Sequence, residues 1–220
     1  MVDKLIKSNL ALRFLSALIL IPTVLLCTAI GGLVFTTMIM IAVILMAFEW
    51  QRMSQNQNTI RWSLLGAAYI TLPALSLLWL RDSPFFGYAG MTWLLILVWA
   101  SDSSAFLFGR LIGGKKFFPQ ISPNKTWAGF YGAIIGGTIA SYCVFLYFGD
   151  SMTIKYLIIS IIIAILSQCG DLLESAIKRK QKVKDSGAII PGHGGILDRV
   201  DSMLLSSIFI VLLILFDLWY

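Results

Sequence analysis

Seven long apolar stretches, parted by short polar breaks, govern what this chain can fold into; they run at about 10–30, 33–48, 62–80, 89–112, 127–148, 156–177 and 202–220. A helix crosses a hydrocarbon core of about 30 Å with ~20 apolar residues. A soluble domain of 220 residues has no place for a hydrophobic fraction of 58%, so the expectation is an all-α, polytopic transmembrane helical protein of about seven spans. The breaks fall where turn chemistry predicts them, at Gly31-Gly32, 54–58, 81–84, Gly113-Gly114 and 149–151. The basic, then apolar N-terminus has the outline of a signal peptide, but a second apolar run follows at once and no small-residue cleavage site stands out, so it is read as a retained first span. Two regions are expected: N-terminal transmembrane helices over 1–88, and a second transmembrane region over 89–220 that carries the polar block at 175–201.

Charge gives an orientation. With the N-terminus on the cytoplasmic side, that side receives 15 of the 17 Lys and Arg residues, leaving only Arg81 and Lys155 opposite. Such a bias is a strong positive-inside signal, and it places the loops at 110–126 and 178–201 on the cytoplasmic face of an inner, cytoplasmic membrane. The net charge of +6 is carried beside membrane segments, where it meets lipid and phosphate; no nucleic-acid partner is expected. Cys27, Cys143 and Cys169 lie in apolar runs without metal-ligand spacing, so neither a disulfide framework nor a zinc site is expected. Gly132 and Gly136 form a GxxxG pair suited to close helix approach, and Trp79, Trp93, Trp219 and Tyr220 near span ends suit interfacial belts.

The polar block at 175–201 holds five basic residues before Asp185, the only histidine, a Gly-rich turn and two aspartates three apart. Charge beside a bilayer is costly, so so dense a cluster is a candidate functional site. A helix leading into it puts Asp171, Glu174, Ser175 and Lys178 on one face, which allows Glu174 to pair with Lys178. Asp171 lies a turn deeper and needs a partner of its own, for which the segment 192–201 is the candidate. There the glycines permit close backbone approach to phosphate, and the following helix begins with N–H groups aimed at an anion. Asp198 and Asp201 share a face of that helix, and carboxylates from two helix ends can hold a hard cation such as Mg²⁺.

A third element spans 99–129. Asp102 lies inside the fourth span, and Ser122, Lys125 and Thr126 follow in a loop whose hydroxyls and lysine suit phosphate contacts, although for the loop alone helix capping and a topogenic lysine are the favoured reading. His193 is expected to position phosphate or a carboxylate; a phosphate nucleophile has a second pKa of about 6 and needs little help from a base.

These residues resemble the phosphatidate cytidylyltransferase (CDP-diacylglycerol synthase) family. Its motif is met at every specified position from Ser175 through Lys178-Arg179, Lys184-Asp185 and Gly187 to Pro191, His193-Gly194-Gly195, Asp198-Arg199 and Asp201. The likeness extends upstream to Asp102, Gly109-Arg110, Ser122-Pro123, Lys125-Thr126 and Gly170-Asp171, thus covering roughly 99–202. Ala128 stands where the family often has Glu, and the chain has fewer spans than the longer members.

The resemblance implies transfer of CMP from CTP to phosphatidic acid at a polar site facing the cytoplasm. It implies catalytic roles for Asp171, Asp198, Lys184, Asp185, His193 and Arg199. Substrate contacts are implied for Asp102, Ser122, Lys125, Thr126, Glu174, Lys178, Arg179, Gly194 and Gly195. Mg²⁺ is assigned to Asp171, Asp198 and Asp201, with a second, monovalent cation left open. CTP, phosphatidic acid and the bilayer are the expected partners, and a homodimer is left open. A CTP-dependent lipid kinase would share the metal and phosphate chemistry but transfer the γ-phosphoryl group. A transporter would place its polar cluster at the midplane between repeated halves, a pattern absent from this sequence.

Overall fold

The computed structural model describes residues 2–54, 59–187, 189 and 194–219, with side chains from residue 16 onward apart from that of residue 59. Among them run seven helices: α1 (Val2–Ile30), α2 (Gly32–Met53), α3 (Thr59–Asp82), α4 (Gly87–Leu111), α5 (Trp127–Phe148), α6 (Ile154–Lys180) and α7 (Leu197–Leu215). Each of the apolar stretches is one helix. Five, α2 to α6, are long and apolar enough to cross a membrane, so the chain is an all-α integral membrane protein. The expected seven spans exceed this set because the described side chains of α1 contribute only the apolar run Ser16–Ile30, and α7 opens with three charged residues, Asp198, Arg199 and Asp201.

The loop between α4 and α5 contains an element that the sequence reading lacks, an antiparallel hairpin of β1 (Lys116–Phe118) and β2 (Ser122–Thr126). Lys116 pairs with Thr126 and Phe118 with Ser122. The hairpin leads directly into α5, where the Thr126 side chain accepts the N–H of Gly129 at 3.1 Å as the helix cap.

Burial centres on α4, which contributes Leu94, Leu97 and Val98 to a core shared with Ile163 of α6 and Ile210 of α7. The GxxxG pair does pack helices. A Cβ on Gly132 would lie 2.6 Å from that of Phe108, and one on Gly136 would strike Ser104, so α5 rests on α4 at backbone distance. Hydroxyls tie the spans laterally: Ser141 meets Ser160 at 2.7 Å and Ser101 meets Ser167 at 3.3 Å. The belt reading fails for Trp93 and Trp219. Both are buried, Trp93 donating to Ser141 and Trp219 to the Phe85 carbonyl, and they pack with Phe86 and Tyr156 in one aromatic cluster. Trp79 stays exposed, and Tyr220 lies outside the described residues.

A second core ties the N-terminal helices to the polar block. Trp50 of α2 and Trp62 of α3 stack with centroids 4.4 Å apart, each indole N–H donating to the other's carbonyl at 2.9 Å. Met46, Met53 and the fully buried Leu197 of α7 complete the cluster.

Candidate active site

The site is built from three chain segments far apart in sequence. Helix α6 continues to Lys180 and presents the expected acidic and basic face. Lys178 Nζ lies 2.8 Å from Glu174 Oε2, as the four-residue spacing predicts, and 2.6 Å from Asp198 Oδ1 at the start of α7. Asp171 forms an ion pair with Lys125 of β2 at 2.7 Å, and it lines one cavity with Asp198 and Asp201 of the 192–201 segment. The hairpin carries Lys125 across to α6, where its ammonium also approaches the Gln168 carbonyl at 3.4 Å. From α4, Asp102 Oδ1 accepts the Gln168 amide N–H at 3.1 Å.

Asp198 is held from two directions. Its Oδ2 accepts N–H bonds from Gly195 at 2.9 Å and Ser186 at 3.1 Å, while Oδ1 faces Lys178. Burial opposes its charge, but the Lys178 ammonium and those backbone donors outweigh burial and hold the carboxyl below the ordinary aspartate value. Gly194, at φ 85°, leaves room for this grip, since a Cβ there would sit 2.8 Å from Asp198 Oδ2.

These segments enclose a cavity of about 640 Å³, within the roughly 300–1,000 Å³ range of small-molecule sites. Asp102, Asp171, Asp185, Asp198 and Asp201 line it together with Arg110, Lys125, Lys178 and Arg199. Phe106, Phe117 and Phe130 form an apolar wall, Phe117 stacking on Phe130 at 4.8 Å.

Most of the residues singled out in the sequence thus converge. Thr126 reaches the cavity while capping α5, and Glu174 sits behind it, 1% exposed, as the partner of Lys178. Five others do not line the cavity. Gly194 and Gly195 sit against Asp198 in the turn before α7. Ser122 lies in β2, Lys184 is exposed on the loop, and Arg179 donates to the carbonyls of Ile121 at 3.1 Å and Val183 at 3.2 Å, joining α6 to the hairpin. His193 lies outside the described residues.

The donor set suits a hard cation. Among the described residues no three His, Cys or carboxylate groups already converge as a metal centre. However, Glu174 Oε1 is buried without a hydrogen-bond partner, within reach of the Asp201 carboxyl, and Asp102 and Asp171 add further negative charge to Asp201's surroundings. Two carboxyl groups this close can share a proton or hold a cation between them.

Sequence reasoning missed Glu49. This α2 residue, 1% exposed, accepts the Ile196 N–H at 2.9 Å, the Leu197 N–H at 3.0 Å and the Ser186 hydroxyl at 3.1 Å. The available signal was a lone carboxylate at the end of an apolar run, which is costly unless satisfied.

Acids and bases interleaved around a cavity at the polar ends of membrane helices suit an integral membrane enzyme that handles phosphate groups. The chain belongs to the cytidylyltransferase family, which its sequence matches over residues 56–217. It is 37% identical over 211 residues to the phosphatidate cytidylyltransferase of Rickettsia bellii, covering 91% of this chain and 89% of that protein. The phosphatidate cytidylyltransferases of Rickettsia felis (35% over 216 residues, 91% and 90% covered) and Brucella abortus (31% over 250 residues, 91% of each) are similar along the same length.

Proposed function

We propose that this protein transfers CMP from CTP to phosphatidic acid, giving CDP-diacylglycerol and pyrophosphate for phospholipid synthesis. The observation that carries the reading is the pair of ion pairs, Lys125 with Asp171 and Lys178 with Asp198, facing one cavity whose other wall is aromatic. A lipid phosphate oxygen attacks the α-phosphorus of CTP, the bond from that phosphorus to the bridging oxygen breaks, and pyrophosphate leaves with the electron pair. Two polyanions must meet, so repulsion is the main barrier that the protein has to lower. Lys125, Lys178, Arg110 and Arg199 supply positive charge at the cavity wall, and each lysine can exchange its carboxylate partner for an entering phosphate.

Asp171 and Asp198 are the residues we assign to Mg²⁺, with Asp201 beside them, and the ion would neutralise phosphate charge as a Lewis acid. The carboxylate crowding around Asp201 supports this assignment, and a monovalent companion ion remains part of the proposal. We place the site on the cytoplasmic face of the inner membrane, with the N-terminus on the same side and α1 and α7 crossing as the sixth and seventh spans; the support is the 15 of 17 basic residues that this topology puts inside. The homodimer left open by the sequence is not part of the proposal.

The test is a label experiment with purified protein in detergent, phosphatidic acid, Mg²⁺ and CTP labelled at the α- or the γ-phosphate. Label from the α-position is expected in the lipid and γ-label in pyrophosphate, with turnover lost on chelation. Label from the γ-position in the lipid would instead mark a kinase and overturn the assignment.

A further inference from the structure

Helix α7 starts without a capping side chain of its own. Its N-cap is Ile196, which offers no oxygen to the first N–H groups. Yet this helix start carries Asp198 and Arg199, both lining the cavity. The missing acceptor comes from α2, 147 residues away in sequence: Glu49 takes the N–H of Ile196 on Oε1 and that of Leu197 on Oε2, while its Oε2 also accepts the Ser186 hydroxyl. Negative charge here also suits the positive end of the helix dipole.

Glu49 and Asp198 grip the same short stretch from opposite sides. Asp198 holds the N–H groups of Ser186 and Gly195; Glu49 holds the Ser186 hydroxyl and the two residues after Gly195. Two glycines leave space for the Glu49 carboxylate. A Cβ on Gly187 would lie 2.8 Å from Oε1, and one on Gly195 would lie 2.5 Å from Oε2. The close approach that Gly195 allows is therefore to the Ser186 hydroxyl and, behind it, the Glu49 carboxylate.

We propose that Glu49 is a positioning residue for the transfer reaction, whose carboxylate fixes the turn before α7 so that Asp198 and Arg199 face the cavity. The inference rests on the cytidylyltransferase reading, but one of its readouts does not. Glu49→Gln keeps the side-chain volume and turns one acceptor into a donor aimed at a backbone N–H, so one of the two helix-start bonds is lost. Hydrogen exchange at the 195–198 amides should then quicken, while exchange elsewhere in α7 stays as in the wild type. In the α-label assay kcat per folded molecule should fall on the order of 10- to 100-fold, with KM for CTP and phosphatidic acid within about threefold. Ser186→Ala removes one of the three bonds and should lower kcat by ~3-fold. Gln51→Ala, on the same helix but bonded to Ser63 away from the turn, should match the wild type. Unchanged exchange at 195–198 in folded Glu49→Gln would overturn the proposal, as would a kcat within twofold of wild type. Should Glu49→Gln not fold, an unchanged kcat in Ser186→Ala would do the same. A wild type that transfers no α-label while Glu49→Gln still quickens exchange would refute the assigned reaction and leave Glu49's hold on the turn standing.

Discussion

Removing Lys178 should destabilise the protein well beyond what a surface charge could. Its ammonium lies within 2.8 Å of both Glu174 and Asp198, and the side chains involved are 10%, 1% and 7% exposed. Deleting one partner of a buried pair costs about 3–5 kcal/mol, because the other charge remains buried and unmatched. Asp198 borders the cavity and keeps its backbone donors, so the lower end, about 3 kcal/mol, is the expected loss for Lys178→Met. At about 2–4 °C per kcal/mol for a chain of this size, Tm should fall by about 6–12 °C. The assay is thermal unfolding followed by tryptophan fluorescence in one detergent at one scan rate. Adding Glu174→Leu should restore part of the loss, since it removes the carboxylate most deeply stranded. A shift below about 2 °C would show that water or another cation satisfies these carboxylates, refuting the argument from burial.

Asp171→Asn and Asp198→Asn should each lower turnover at least ~100-fold in folded protein, because the volume is kept while the charge for cation and lysine is lost; near-normal rates in either variant would remove it from the metal set. Arg199→Lys should cut kcat/KM by ~10-fold if its fork contacts phosphate, measured at limiting CTP. Arg179→Lys, whose wild-type guanidinium serves two carbonyls outside the cavity, should change it far less. Gly132→Leu should cost about 1–3 kcal/mol by overpacking against Phe108, read as a lower Tm with the same spectral signature of helix content.

The helices were legible because each apolar run ends in residues that stop a membrane helix, such as Gly31 at φ 68° and Gly149 at φ 79°. The Glu174 to Lys178 pair was legible for the same local reason, a four-residue spacing on one helix face. What the sequence concealed is what depends on distant segments meeting. Lys125 reaches Asp171 only because a hairpin with a three-residue strand, too short to show a period, turns it toward α6. Trp93 and Trp219 read as interfacial because aromatic residues near span ends usually are, yet here they fill the core beside α4. Glu49 looked like the edge of an apolar run, and its partners begin with Ser186, 137 residues further on.

That separation also has a temporal side. Chains are made at ~5–20 residues per second, so the 147 residues between Glu49 and Ile196 take about 7–30 s to emerge. Throughout that interval α2 is in place with a carboxylate whose acceptors have no donors yet from the far end of the chain. Its position one turn from the end of α2 lets the side chain wait in interfacial water rather than in hydrocarbon. The arrival of α7 then withdraws Glu49 from water and assembles the turn before that helix in the same event, so the nascent chain holds no finished phosphate site until α7 has been synthesised.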